Sequence, residues 1–201
     1  MSSIIGHSLA GVTVGLVNQT PSFLKTTQGK ILWFGWLVIV AIAADFDYVV
    51  PFFHPSANAG LRITHSIFYA SLLPSVTLIV LKSLGLERQA LSQAALSLYL
   101  AGFSHLCLDL LVGVTAIPLG WPLDKTVFKL PFGVLPSAGK PSLSNYYFYY
   151  NLGIEMGVLL PLSIAVVIAQ LQKTTWWKWT IVALLLPISI YFMHWAYGLS
   201  R

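Results

Sequence analysis

Apolar residues run along this chain in long blocks, and the polar positions that interrupt them are few. A block of about 18 or more apolar residues is long enough to cross a bilayer as a helix. Five stretches qualify: 31–53, 63–81, 90–114, 152–171 and 177–199. A further run, 4–17, has 14 residues before "NQTP" and suits a short, tilted or re-entrant helix as well as a full span. The pattern predicts an all-α, polytopic membrane protein with five to six transmembrane or re-entrant helices.

One membrane domain over 1–201 accounts for the order of elements: motif-bearing helices in 1–114, a long interfacial loop in 115–151 and a C-terminal helical pair in 152–201. The 115–151 segment holds five prolines, which argues against a long helix there. Its alternating Trp, Phe and Leu suit a chain lying in the membrane interface. "NYYFYY", 145–150, reads as an aromatic belt at the lipid headgroups ahead of the fifth run.

Composition removes the soluble alternatives. Of 201 residues, 57% are hydrophobic and 8% charged, and the mean hydropathy is +0.78, which leaves too little polar surface to cover a globule. A cleaved signal peptide is not expected, because nothing before Lys25 is basic and His7 breaks the first apolar run. Cys107 stands alone, so neither a disulfide framework nor a thiolate metal site is expected. The net charge of +5 comes from eleven dispersed basic residues, which fits membrane lipids as partners and gives no reason to expect nucleic acid.

If 4–17 spans, Lys25, Lys30, Lys82, Arg88, Lys173 and Lys178 fall on one side of the membrane. Arg62, Lys125, Lys129, Lys140 and Arg201 fall on the other. Pairing in short loops favours the first set as cytoplasmic and an inner (plasma) membrane protein with its polar site on the non-cytoplasmic face.

The ionisable residues inside the apolar runs are the informative ones. Asp45 and Asp47 lie near the end of the second run, His65 at the start of the third, and His105 and Asp109 near the end of the fourth. Glu155 is expected in the first turn of the fifth, and His7 joins the set if the first run spans. On an up-and-down arrangement all of them reach one membrane face. An acid at a helix centre costs roughly 2.5–3.5 kcal/mol to insert, so four carboxylates near one face need compensation. Arg62 is one cation; bound divalent metal would supply the rest and would unite imidazole nitrogen with carboxylate oxygen.

Spacing agrees. His105 and Asp109 are i and i+4, on one helical face. Asp45 and Asp47 are i and i+2, roughly 200° apart on a regular helix, so both can face one site only where the backbone departs from α geometry. Pro51, four residues after Asp47, makes a helix end or kink there an expectation. Gly6, Gly11 and Gly15 provide a small-residue face for close packing. His54 and His194 have loop-like and interfacial neighbours and are set aside.

The order "GHSLAG", "ADFDYVVP", "RITHSIFY", "HLCLDLLVGVTAIPLGWPL" resembles the family of inner-membrane, metal-dependent hydrolases of the YdjM type over about residues 4–123. Asp45, Asp47, Arg62, Thr64, His65, Ser66, His105, Asp109, Trp121 and Pro122 match the family's pattern, and Glu155 matches more loosely. Tyr48 stands where a His often follows the acidic pair, and Leu61 where a His precedes the Arg. The family is distantly similar to zinc-dependent phospholipases C and single-strand zinc nucleases, which implies phosphoester hydrolysis, with a lipid among the candidate substrates.

The resulting expectation has His7, Asp45, Asp47, His65, His105 and Asp109 as metal ligands. Glu155 is a ligand or general base, and Arg62 orients a phosphate or pairs with a carboxylate. The metal would be Zn, Mn or Fe, in a number the residues leave open. Two alternatives from other classes are a proton- or cation-coupled transporter and a non-catalytic metal-binding membrane protein. The absence of an internal repeat and the polar residues' place away from mid-helix weigh against transport.

Overall fold

The computed structural model describes residues 1–18, 21, 24, 26–50, 60–138, 144–171 and 175–199. Pro51, His54, Lys25, Lys140, Lys173 and Arg201, all used above, lie outside the described residues. The described chain is helical: α1 (Ile4–Val17), α2 (Thr27–Ile42), α3 (Ile67–Ser83), α4 (Arg88–Val112), α5 (Tyr146–Gln170) and α6 (Trp176–Tyr197). Two 3-10 turns, Ala43–Tyr48 and Ile63–His65, flank the segment between α2 and α3. Among the described residues there is no strand, only an isolated antiparallel bridge between Ile117 and Phe128.

Among the described residues, four helical stretches are long and apolar enough to cross a membrane: Thr27–Tyr48, which joins α2 to its 3-10 turn, Arg88–Val112, Tyr146–Gln170 and Trp176–Tyr197. α1 and α3 are apolar but shorter. Expected boundaries shift in two places. The 63–81 run does not form one helix, because Ser66 caps α3 by accepting from the Tyr69 N–H at 3.2 Å. Residues Ile63–His65 are thereby left as a separate turn. The fifth run starts at Tyr146, where the Asn145 side chain accepts from the Tyr147 N–H, so most of "NYYFYY" is helix. Glu155 is therefore well inside α5 and not in its first turn, where the helix dipole would have favoured a carboxylate.

The chain divides into two compact units. One comprises Ala10–Cys107 with Ile117–Phe128. Its core is Trp33, Leu37, Val40 and Ala41 of α2 against Ala94, Leu98 and Ala101 of α4. Small residues on α4 let the helices approach closely, as lipid-embedded helices require. Gly11 likewise lies against the backbone of Leu37 and Val38, where a Cβ would come within 2.9 Å of the Leu37 carbonyl. Trp36 Nε1 donates to Thr77 Oγ1 at 3.2 Å and Ser75 shares a 2.8 Å hydrogen bond with Tyr99, which ties α3 to both neighbours. The 117–128 loop closes on its bridge and is fastened to the start of α3. The Ile67 N–H donates to the Leu119 carbonyl at 3.1 Å, and the Trp121 and Phe68 rings meet edge to face.

The other unit comprises Met1–Leu9, Leu108–Ala116 and Lys129–Arg201. α5 and α6 form an antiparallel hairpin in which Phe192 fills the space over Gly157, and the Ser189 hydroxyl donates to the Val158 carbonyl at 2.8 Å. Backbone bonds gather the rest: the Val134 and Leu135 N–H groups donate to the Leu111 carbonyl, and the Ala138 N–H to that of Met1.

Candidate metal centre

Every candidate residue is buried: His7, Asp45, Asp47, Arg62, His65, His105, Asp109 and Glu155 are each less than a tenth exposed. Within each unit several of them come together.

In the unit built on α2, α3 and α4, Asp45 and Asp47 belong to the 3-10 turn that continues α2. At about three residues per turn, i and i+2 stand nearer one face than in an α-helix. Asp45 and Asp47 point inward while Phe46 and Tyr48 are exposed. The departure from α geometry that the i, i+2 spacing demands is this turn.

Arg62 meets Asp47 in a two-point clamp, Nε to Oδ2 at 2.9 Å and Nη2 to Oδ1 at 2.8 Å, and the same Nη2 lies 3.5 Å from Asp45 Oδ1. The Tyr48 ring packs under the guanidinium at 4.7 Å. Tyr48, which departs from the family pattern, therefore covers the cation. Here Arg62 pairs with carboxylates.

Proton bookkeeping fixes the histidines. Thr64 Oγ1 donates its one proton to Asp47 Oδ2 at 2.9 Å, so it has only lone pairs for His65 Nδ1, 3.0 Å away. His65 Nδ1 must carry the hydrogen. His105 Nδ1 lies 2.7 Å from the Ala41 carbonyl, which only accepts, so it too carries the hydrogen. In the neutral rings both Nε2 atoms are then lone-pair donors. They face each other at 3.2 Å, and Asp45 Oδ1 lies 3.6 Å from one and 3.8 Å from the other. With both rings neutral, three electron-rich atoms converge here, an arrangement that a cation among them would stabilise. A tetrahedral zinc with bonds of 2.0–2.1 Å holds its donors about 3.3 Å apart, close to these separations. Asp45, His65 and His105 thus fit a metal, and Asp47 lies behind His65, acting on it through Thr64.

The other unit gathers His7, Asp109 and Glu155 around the start of α1. Ser3 caps this helix: its Oγ accepts from the Gly6 N–H at 3.0 Å. The Ser2 N–H donates to Asp109 Oδ1 at 2.8 Å, and the Ser3 N–H to Glu155 Oε1 at 2.9 Å. The Ser2 hydroxyl also donates to Glu155 Oε1. His7 Nε2 lies 3.5 Å from Asp109 Oδ1. Glu155 Oε2 is buried and has no hydrogen-bond partner among the described residues. Gly6 makes room for this carboxylate: a Cβ there would stand 2.5 Å from Glu155 Oε1.

Ser2 and Ser3 are not among the residues expected at the site, and Thr64 is expected there only through the family pattern. A serine ahead of an apolar run is an N-cap signal that could have flagged Ser3; Ser2 carries no such signal.

No curated protein and no solved structure matches the chain. The model of the YdjM inner membrane protein family matches residues 1–197, and the chain belongs to that family.

Proposed function

We propose that this protein is a multi-pass, metal-dependent membrane hydrolase acting on a phosphoester, a lipid-linked one among the candidates. The observation that carries the reading is the convergence of three lone-pair donors, His65 Nε2, His105 Nε2 and Asp45 Oδ1, in a buried place. A divalent cation bound there supplies Lewis acidity toward a phosphoryl oxygen and a nearby water.

The chain's own residues divide the remaining work. Asp45, His65 and His105 hold the cation. The Arg62, Asp47 and Thr64 relay keeps the His65 hydrogen on Nδ1, and the Ala41 carbonyl does the same for His105, so both rings present Nε2. His7, Asp109 and Glu155 have the donor chemistry for a second cation. Glu155 Oε2 is alternatively the base that accepts a proton from water, being a carboxylate oxygen with a lone pair to spare. Zn, Mn and Fe all suit mixed imidazole and carboxylate ligation. The polar site is proposed on the non-cytoplasmic face of the inner membrane, following the loop charges.

The test is elemental analysis of detergent-purified protein, followed by hydrolysis assays on generic phosphodiester and phospholipid substrates. Wild type is expected to carry stoichiometric metal, which the H65A/H105A double variant loses together with any hydrolysis. No metal in wild type after adding it back would overturn the metal centre. Full metal with no turnover on any phosphoester would leave a binding protein and overturn the enzyme.

A further inference from the structure

At the end of the α3–α4 hairpin opposite the Asp45 group lies an open groove of about 360 Å³. Its walls are mostly apolar, with Leu78 and Ile79 from α3 and Leu91, Ser92 and Ala95 from α4, and two cations, Lys82 and Arg88, border it. The turn between the helices puts them there. Leu86 and Gly85 donate their N–H groups back to the carbonyls of Leu81 and Lys82, and Gly85 sits at φ +81°, the left-handed conformation such a helix end needs. α3 thus ends one residue after Lys82, and α4 begins at Arg88.

Both side chains are exposed, and among the described residues neither has an ion-pair partner. Glu87, beside Arg88 in the turn, is exposed and pairs with neither. Two uncompensated cations at the rim of an apolar channel in a membrane protein call for an anion attached to a hydrocarbon tail. We propose that this groove is a binding site for an anionic phospholipid, with the acyl chain along Leu78, Leu91 and Ala95 and the phosphate between Lys82 and Arg88. Basic pockets between membrane helices recognise lipid headgroups in this way, and a juxtamembrane cation strengthens attraction to anionic lipid roughly fivefold, so the pair is worth about thirtyfold. A groove without cations would hold zwitterionic and anionic lipids alike.

Native mass spectrometry of the full chain, released from micelles doped with equal phosphatidylglycerol and phosphatidylcholine, tests this. Wild type is expected to retain phosphatidylglycerol over phosphatidylcholine by tenfold or more. K82Q/R88Q should abolish the preference while leaving tail-driven retention of both lipids, and A95F, which fills the channel, should reduce retention of both. Lys82 and Arg88 are exposed and Ala95 is half-buried, and circular dichroism checks that each variant keeps its helices. Equal retention by wild type, or an unchanged preference in K82Q/R88Q, would overturn the proposal, as would A95F retaining lipid like wild type.

Discussion

Two sets of buried carboxylates in one chain are handled by different means. Asp47 and Asp45 face Arg62, a guanidinium whose two nitrogens grip Asp47 directly. Asp109 and Glu155 are met by the backbone N–H groups of Ser2 and Ser3, the Ser2 hydroxyl and His7. The first arrangement neutralises charge with a residue that is always charged. The second solvates charge with dipoles, which leaves the negative charge in place. Where both acids of a group are ionised, one arginine leaves the first group with a net charge of about minus one if its histidines are neutral, the condition in which their Nε2 lone pairs are available. A site that must bind a cation needs such residual charge, and a fully paired site would not have it.

Removing the arginine breaks the first half of this contrast and should have the largest effect. R62Q leaves Asp47 buried with its main partner gone, and losing one member of a buried pair costs about 3–5 kcal/mol. Unfolding in detergent should shift accordingly, and the R62Q/D47N double variant should recover much of the loss, since neither charge then remains unmatched. If R62Q unfolds like wild type, Asp47 is not held by this clamp and the contrast fails.

How far this could be read beforehand differs between the two groups. The i, i+2 pair at Asp45 and Asp47 demanded a break from α geometry, and the 3-10 turn at Ala43–Tyr48 is that break. His105 and Asp109 both lie within α4. Elsewhere the apolar pattern hid boundaries. Ile63 extends the hydrophobic run of α3, and this hides both the cap at Ser66 and the separate turn at 63–65. Tyrosines suit both an interface and a helix, so the aromatic run does not reveal that α5 begins at Tyr146, well ahead of Glu155. Ser2 is illegible for a simpler reason, and so is what Thr64 does although the family pattern includes it: a hydroxyl's role depends on which distant carboxylate it meets, and no local pattern encodes that.

A second break concerns the space around Glu155. G6A places a methyl where Glu155 Oε1 and Ser2 Oγ now lie, at 2.5 and 2.8 Å from the new carbon. Overpacking of this kind costs typically about 1–3 kcal/mol. Thermal unfolding should drop by that amount, and G6A/E155A, which empties the space, should be less destabilised than the sum of its two single variants. Additive losses would mean that Gly6 does not shape the carboxylate's seat.

The relay through Thr64 sharpens the contrast, because it is how the arginine-backed carboxylate reaches a histidine. T64V keeps the shape but removes the hydroxyl between His65 Nδ1 and Asp47 Oδ2. Losing such an outer partner typically weakens metal affinity about 10–100-fold. Competition with a chelator should show that loss, whereas T64S should restore most of the affinity because the hydroxyl returns. Equal weakening by T64S, which keeps the hydroxyl, would show that the hydroxyl does not account for the loss and would remove the relay.

The smallest effect on stability is expected at Glu155, and it separates the two ways of treating a buried acid. E155Q preserves volume and keeps an oxygen for the Ser3 N–H and Ser2 hydroxyl, while the carboxylate charge disappears. Metal-free protein should unfold within about 1 kcal/mol of wild type, since no ion pair to Glu155 is broken and a costly buried charge is gone. D47N, an equally small change in shape, strips the partner from Arg62 and should cost several kcal/mol under the same conditions, toward the R62Q value. The pair of measurements isolates the arginine, because both variants replace one carboxylate oxygen with an amide and differ in what that oxygen faced. Should E155Q prove as damaging as D47N, the dipoles around Glu155 hold its charge as firmly as a guanidinium does, and that carboxylate would then be a structural fixture with no surplus charge to offer a cation or a proton.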